Sequence, residues 1–207
     1  MARKTKAEAE QTRQLIIEAA RRVFHANGVS RTSLAEIAKA AGVTRGAIYW
    51  HFADKAELFF AMRDQMNLPL IDRVDGLLLD EDANDPLLGI ERAIKAFFTA
   101  LRDSEPVRQN FEIMFFRCEY VGEFAAVQEQ LVKPGCEFVG KLEIAYGRAQ
   151  AKGLLRQGLL PPALALDTYA FVGGLMQAWL PNMNCGCFTL DHVLAMIETH
   201  IALRRVG

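Results

Sequence analysis

The side chains of this 207-residue sequence that could do chemistry are few and mostly far apart. His25, His51, His192 and His200 do not recur with carboxylates at metal-ligand spacing. Cys185 and Cys187 make one close cysteine pair, able to hold a soft metal or to sense oxidation, or simply to sit as two thiols in a flexible loop. No second pair follows at zinc-site distance. A glycine-rich phosphate loop and a G-x-S-x-G nucleophile turn are both missing. We therefore expect no metal, no cofactor and no enzymatic activity. What remains is recognition chemistry. Thr44, Arg45, Gly46, Tyr49, Trp50 and His51 crowd together, and no Asp or Glu occurs between Ala38 and Ala53. That stretch suits a polyanion. The arginine fork can pair with a base edge such as guanine in a major groove. Tyr49, His51 and Lys55 can meet phosphates.

The elements that must hold these residues are two short helices. Ala35, Ala38 and Ala41 are small enough for helices to cross closely. Gly42 permits a sharp turn that a Cβ would resist. Ser33 and Glu36 have the spacing of a capping box at the start of the first helix. Thr44 is a good N-cap for the second. On that second helix Ile48 and Phe52 point to the core, while Arg45 and Tyr49, four apart, share another face. Gly46 leaves the helix tip bare, so it can sit close to another surface. Thr32 and Ser33 complete the candidate contact set. Trp50 either stacks on a sugar-phosphate backbone or packs on the following helix. His51 either binds phosphate or caps the helix C-terminus. A pair of small-residue helices can also be no more than a packing unit.

Around this segment the chain reads as all-α, with about nine helices. Hydrophobic residues make up 51% and charged residues 24%, an ordered globular balance. Residues 1–63 hold 11 Lys and Arg against 6 Asp and Glu, net +5, and the remainder is net −6. A basic head on an acidic body is the pattern of a nucleic-acid binder. Periodicity predicts helices over about 6–27, 33–41, 44–52, 55–79, 86–102, 104–120, 123–152, 161–180 and 190–205. Pro69 and Pro134-Gly135 should kink the fourth and seventh. An acidic loop, 80–85, separates the fourth and fifth. There is no signal peptide and no membrane-length apolar run, so we expect a soluble, cytoplasmic protein with reduced thiols.

Two further patterns concern the body. The eighth helix carries two apolar stripes, one through Ala165, Tyr169, Val172, Met176 and Trp179, the other through Leu164, Phe171, Leu175 and Ala178. The ninth has a seam at Leu190, Leu194, Ile197, Ile201 and the stem of Arg204, of coiled-coil type. Either set can face a second copy or pack within the chain. The sixth helix aligns Val107, Phe111, Met114, Phe115 and Cys118, an adaptable apolar lining or plain core.

The stretch Gly42–Phe59, GVTRGAIYWHFADKAELF, with the opening MARKTKAEAEQTRQLIIEAARRVF, resembles the DNA-binding region of the TetR family, in its AcrR-type branch. The likeness is specific over residues 1–60 and weakens beyond. It implies a helix-turn-helix domain over residues 1–55 and a ligand-binding and dimerisation domain over 56–207. It implies a homodimer through helices 8 and 9 on a palindromic double-stranded DNA operator, released by a small hydrophobic or cationic drug-like molecule, and repression of a multidrug efflux operon. The resemblance places ligand contacts at Phe111, Phe115, Cys136, Tyr169, Val172 and Met176, with Glu112 as a partner for a cationic drug or else a solvent-facing carboxylate. Alternatives are a regulator of lipid metabolism that senses an acyl chain, and a helical ligand-binding or enzymatic domain whose helix pair is only structural.

Overall fold

The computed structural model describes residues 6–80, 84–183 and 185–206, apart from the side chains of Met66, Glu123, Ala126, Glu129 and Leu131. The first five residues of the basic opening and part of the acidic loop 80–85 lie outside the described residues. Within them are nine α-helices: α1 (Lys6–Asn27), α2 (Leu34–Ala41), α3 (Arg45–His51), α4 (Lys55–Leu78), α5 (Pro86–Asp103), α6 (Glu105–Phe116), α7 (Ala125–Ala151), α8 (Pro161–Trp179) and α9 (Leu190–Ala202). Two 3₁₀ turns, Gly122–Phe124 and Leu180–Asn182, raise the number of helical segments above the nine expected. Pro69 and Pro134 are each carried inside a continuous helix, so the expected kinks do not divide α4 or α7.

Two helices stop earlier than their periodicity predicts, and in both cases the chain makes another bond instead. Beyond α6, the Arg117 carbonyl accepts the Val29 N–H at 2.8 Å, and the Tyr120 hydroxyl turns back to the Met114 carbonyl at 2.5 Å. The apolar run to residue 120 therefore ends in a loop that closes over the α1–α2 turn. Beyond α9, Arg156 N–H donates to the Arg204 carbonyl and Val206 N–H to the Leu154 carbonyl, around an isolated antiparallel bridge between Leu155 and Arg205. The C-terminus is pinned by backbone pairing that no side-chain period announces.

The chain forms two compact units, one from Met1–Leu68 and Glu105–Gln128, the other from Pro69–Ser104 and Glu129–Gly207. In the first, α1 packs against α2 and α6, and α2 against α3. Ile16, Ile17, Phe24, Ile37, Ile48 and Phe59 are fully buried. Phe59 meets Phe24 and Phe124 edge-on or tilted, centroids 6.4 and 5.7 Å away. Each such side chain removed from water contributes about 1.5–3 kcal/mol.

In the second unit α5 packs along α9. Ile90, Phe98, Tyr146, Trp179, Val193 and Ile197 form its core. A buried polar chain ties three helices: Tyr146 hydroxyl to Thr168 hydroxyl at 2.7 Å, and Thr168 to His200 Nε2 at 3.1 Å. Burial, then the nearby Arg204, push the His200 imidazole down to about 4. The ring is neutral there and able to accept from Thr168.

Candidate functional site

Each helix of the α2–α3 pair is closed by residues chosen for that task. The Ser33 hydroxyl accepts the Glu36 N–H at 3.2 Å, and the Glu36 carboxylate accepts the Ser33 N–H at 2.7 Å, the reciprocal pairing that satisfies two orphan donors. These bonds hold Glu36 below the usual carboxylate range. Gly42 sits at φ 69°, left-handed, and donates back to the last carbonyls of α2. The Thr44 side chain accepts the Ala47 N–H at 3.2 Å, which leaves the threonine hydroxyl proton for an outside acceptor.

Seven residues are too few for α3 to persist alone, so its position depends on its buried side. Ile48 is fully buried and Phe52 nearly so, with the Arg13 guanidinium 5.2 Å above the Phe52 ring. That fixes the opposite side outward. Arg45 and Gly46 are exposed, Tyr49 is 52% exposed and Trp50 72%. A side chain that open is not packed on α4. The His51 ring stands edge-on to Trp50 at 4.5 Å. A Cβ at Gly46 would meet only the Thr44 hydroxyl, at 3.9 Å, so the helix tip is bare.

Not every candidate lies on this surface. Thr32 is 3% exposed, its hydroxyl bonded to the Gly28 carbonyl at 2.8 Å, and it belongs to the core. Lys55 is half-buried; its ammonium donates to the Thr32 carbonyl at 3.2 Å and lies 5.4 Å from the Phe124 ring. The Ser33 hydroxyl is spent on Glu36. The exposed candidates are Ser33, whose hydroxyl is engaged by Glu36, and Thr44, Arg45, Gly46, Tyr49 and Trp50.

The candidate ligand residues fall in different places. On α6 the buried side is Asn110, Ile113 and Met114, while the Phe111 and Phe115 rings stack at 6.5 Å with Phe115 44% exposed. Glu112 is neither solvent-facing nor free: it binds His25 of α1 at 2.5 Å. Beside it the Arg21 guanidinium donates to the Gln109 amide oxygen, a second tie from α1 to α6. In the second unit Val172 and Met176 are buried, Tyr169 is 45% exposed and Cys136 is exposed. Gly135 lets Tyr169 lie against α7, since a Cβ there would stand 2.6 Å from the phenol oxygen. Sequence reading missed the Asn67–Asn110 pair. Asn110 donates to Asn67 at 2.7 Å, and its own Oδ1 is buried without a protein partner. An asparagine at a core position of an apolar helix was the available signal.

Of the two readings of the ninth-helix seam, the structure shows packing within the chain. Leu190, Ile197, Ile201 and Arg204 are buried within the chain, where α9 packs along α5. The other side of α9 is open. It forms, with Phe171 and Phe188, a shallow cleft of about 630 Å³ lined by Ala195, Met196, Thr199 and Leu203.

A capped helix pair with a short second helix, anchored on one side and baring Arg, Tyr and Trp on the other, defines a helix-turn-helix DNA-binding protein. Residues 16–62 match the model of bacterial regulatory proteins of the tetR family, and residues 85–202 that of the C-terminal region of MAATS-type transcriptional repressors. The chain belongs to the TetR family of transcriptional regulators. It is 39% identical to the HTH-type transcriptional regulator AcrR of Shigella flexneri over 97% of this chain and 94% of that protein. Among solved structures it resembles NalD, the secondary repressor of the MexAB-OprM multidrug efflux pump in Pseudomonas aeruginosa. The TM-score there is 0.84, with 32% identity over 97% of this chain and 98% of that one. It also resembles SmeT in complex with triclosan, with a TM-score of 0.83 and 26% identity over 95% and 93% of the two chains. No helix among the described residues is long and apolar enough to cross a membrane.

Proposed function

We propose that this protein is a ligand-released repressor of a multidrug efflux operon. It works in the cytoplasm as a homodimer on a palindromic operator, without catalysis and without a cofactor. Residues 1–55 form the DNA-binding domain, and residues 56–207 receive the ligand and the second subunit. The observation that carries this reading is α3: Ile48 and Phe52 anchor it while Arg45, Tyr49 and Trp50 stand in solvent. In the major groove Arg45 reads a base edge, and Thr44, Tyr49, Trp50 and His51 hold the backbone. Gly46 allows close approach. Two such helices, about one DNA turn apart, read two half-sites. Efflux control is supported by the relatives whose names describe repressors of multidrug pumps.

The second copy is held through α8 and α9, using the side that the core leaves uncovered: Leu166 and the Gly173-Gly174 pair of α8, with Met196 of α9 and Leu203 just after it. The candidate contacts for a small apolar or cationic molecule are Phe111 and Phe115 of α6 in the first unit, and Cys136, Tyr169, Val172 and Met176 of α7 and α8 in the second. Glu112 serves a cation only if that cation displaces His25. Ligand binding releases DNA by favouring a different spacing of the two α3 helices, to the extent of its differential affinity.

The deciding experiment is a gel shift of the purified protein on the promoter beside its own gene, across a salt series, with random DNA as control. Specific, salt-sensitive retardation that a pump substrate abolishes is expected. Equal retardation of random DNA, or none of either, overturns the reading.

A further inference from the structure

The thiols Cys185 and Cys187 take no part in the function proposed above. They lie between the 3₁₀ turn Leu180–Asn182 and α9. Both are exposed, and their sulfur atoms are 2.7 Å apart. Two features of the backbone bring them together. Cys185 N–H donates to the Asn182 carbonyl at 3.0 Å, and Gly186 between them is left-handed at φ 72°. A residue with a Cβ would resist that bend. Among the described residues no three His, Cys, Asp or Glu side chains are grouped to hold a metal ion.

We propose that Cys185 and Cys187 form a reversible dithiol–disulfide site that reacts with low-molecular-weight disulfides. Cys185 is the attacking thiol. Its hydrogen bond from Cys187 and the nearby backbone donors favour the thiolate, while the same contact holds the proton on Cys187. The Cys185 thiolate attacks one sulfur of a disulfide RS–SR. A new S–S bond forms and RS⁻ leaves, taking a proton. Cys187 then loses its proton to solvent and attacks the Cys185 sulfur of the mixed disulfide. The Cys185–Cys187 bond forms and the second RS⁻ leaves and is protonated. Two cysteine thiols have given up two electrons and two protons, and RS–SR has become two RSH.

The other cysteines supply internal controls. Cys118 is partly buried, and that burial pushes its thiol up to about 11, where a thiolate is scarce at neutral pH. Cys136 is exposed and free, and without a thiol in contact among the described residues it stops at the mixed disulfide.

The test uses the full-length protein in buffers of graded reduced and oxidised glutathione, quenched with acid, alkylated and read by peptide mass. The peptide holding Cys185 and Cys187 should lose both alkyl groups together and become lighter by two hydrogens. Excess reduced glutathione should restore both. Cys136 should carry glutathione, and Cys118 should react more slowly than Cys136. In Cys187→Ser, Cys185 should accumulate the glutathione adduct that the unaltered protein does not retain. In Cys185→Ser, Cys187 should likewise stop at the glutathione adduct, because no second thiol is left to resolve it. Independent alkylation of the two thiols would overturn the proposal. So would stable glutathione adducts on the unaltered pair, or a crosslink between chains in place of the internal one.

Discussion

The helix pairs α2–α3 and α8–α9 both show one side to the core and another to solvent, yet only the first can be assigned from its letters. In α3 the two sides differ in kind. Ile48 and Phe52 are apolar, while Arg45 carries a charge that an apolar core would not pair, so polarity marks the anchored side. In α8 and α9 the open side is also apolar. Leu166 is 59% exposed, Met196 43% and Leu203 60%. Two apolar sides compete for one core, and the polarity rule is silent. The regular spacing of Leu190, Ile197 and Ile201 reads as a seam for a partner, yet that seam is closed by α5. Regular spacing marks a buried stripe without naming what buries it.

Truncation of the anchoring residues should give the largest effects and treat both regions alike. Ile48→Ala and Ile197→Ala each remove a fully buried side chain. Each should cost about 2–5 kcal/mol in denaturant unfolding. If Ile197→Ala leaves unfolding unchanged and only weakens self-association, the ninth-helix seam is a dimer contact after all. Below these comes Arg45→Ala. It should leave unfolding unaltered but lower specific operator affinity by about 1–3 kcal/mol and relax one operator position. Fluorescence anisotropy on operator and random duplexes separates the outcomes. Equal loss on both would assign Arg45 to phosphate rather than a base.

The open side of α9 gives a smaller effect, visible only in association. Met196→Glu adds charge to an apolar cleft beside Ala195 and Leu203. It should raise the dimer dissociation constant about tenfold, near 1.4 kcal/mol, while the monomer unfolds as before. Sedimentation across a concentration series reads it. An unchanged dimer would move the interface away from this side.

Legibility follows from the same distinction. The caps of α2 and α3, the Gly42 turn and the inward placement of Ile48 were readable because each is a local requirement met by a residue type with few substitutes. Helix ends at 116 and 202 were not. The backbone pairing of Arg156 with Arg204, and of Val29 with Arg117, joins segments distant in sequence and leaves no periodic trace. Thr32 illustrates the limit at the site itself. A threonine before a helix reads as a surface hydroxyl, yet the Gly28 carbonyl takes its proton and the core covers it. Glu112 is similar, since nothing local in α6 announces that His25 of α1 stands opposite. The candidate ligand residues were the least legible, because Phe115, 44% exposed, and the buried Phe124 belong to the same residue type.

Acid should separate the two pairs without any change to their cores. At α8–α9 the sensitive group is His200, held at about 4 by burial and by Arg204, with Thr168, Asp167 and the stacked Phe171 around it. The unfolded chain binds this proton near pH 6.5, the folded chain only near 4. Between those values the unfolded state holds more protons, so stability falls as pH drops from about 6.5 towards 4. At α2 the sensitive group is Glu36, whose carboxylate the Ser33 bonds keep below its ordinary range. Its contribution is present above the unfolded value and is lost only as pH falls below about 4.3 towards the folded value. Unfolding followed from pH 7 to 3 should therefore weaken in two stages. His200→Gln should flatten the upper stage and leave the lower one, and Glu36→Gln should leave the upper one and lessen the lower, which Asp85 and Asp103 share. If His200→Gln leaves the slope between pH 6.5 and 4 intact, the neutral imidazole is not what holds Thr168 against α9.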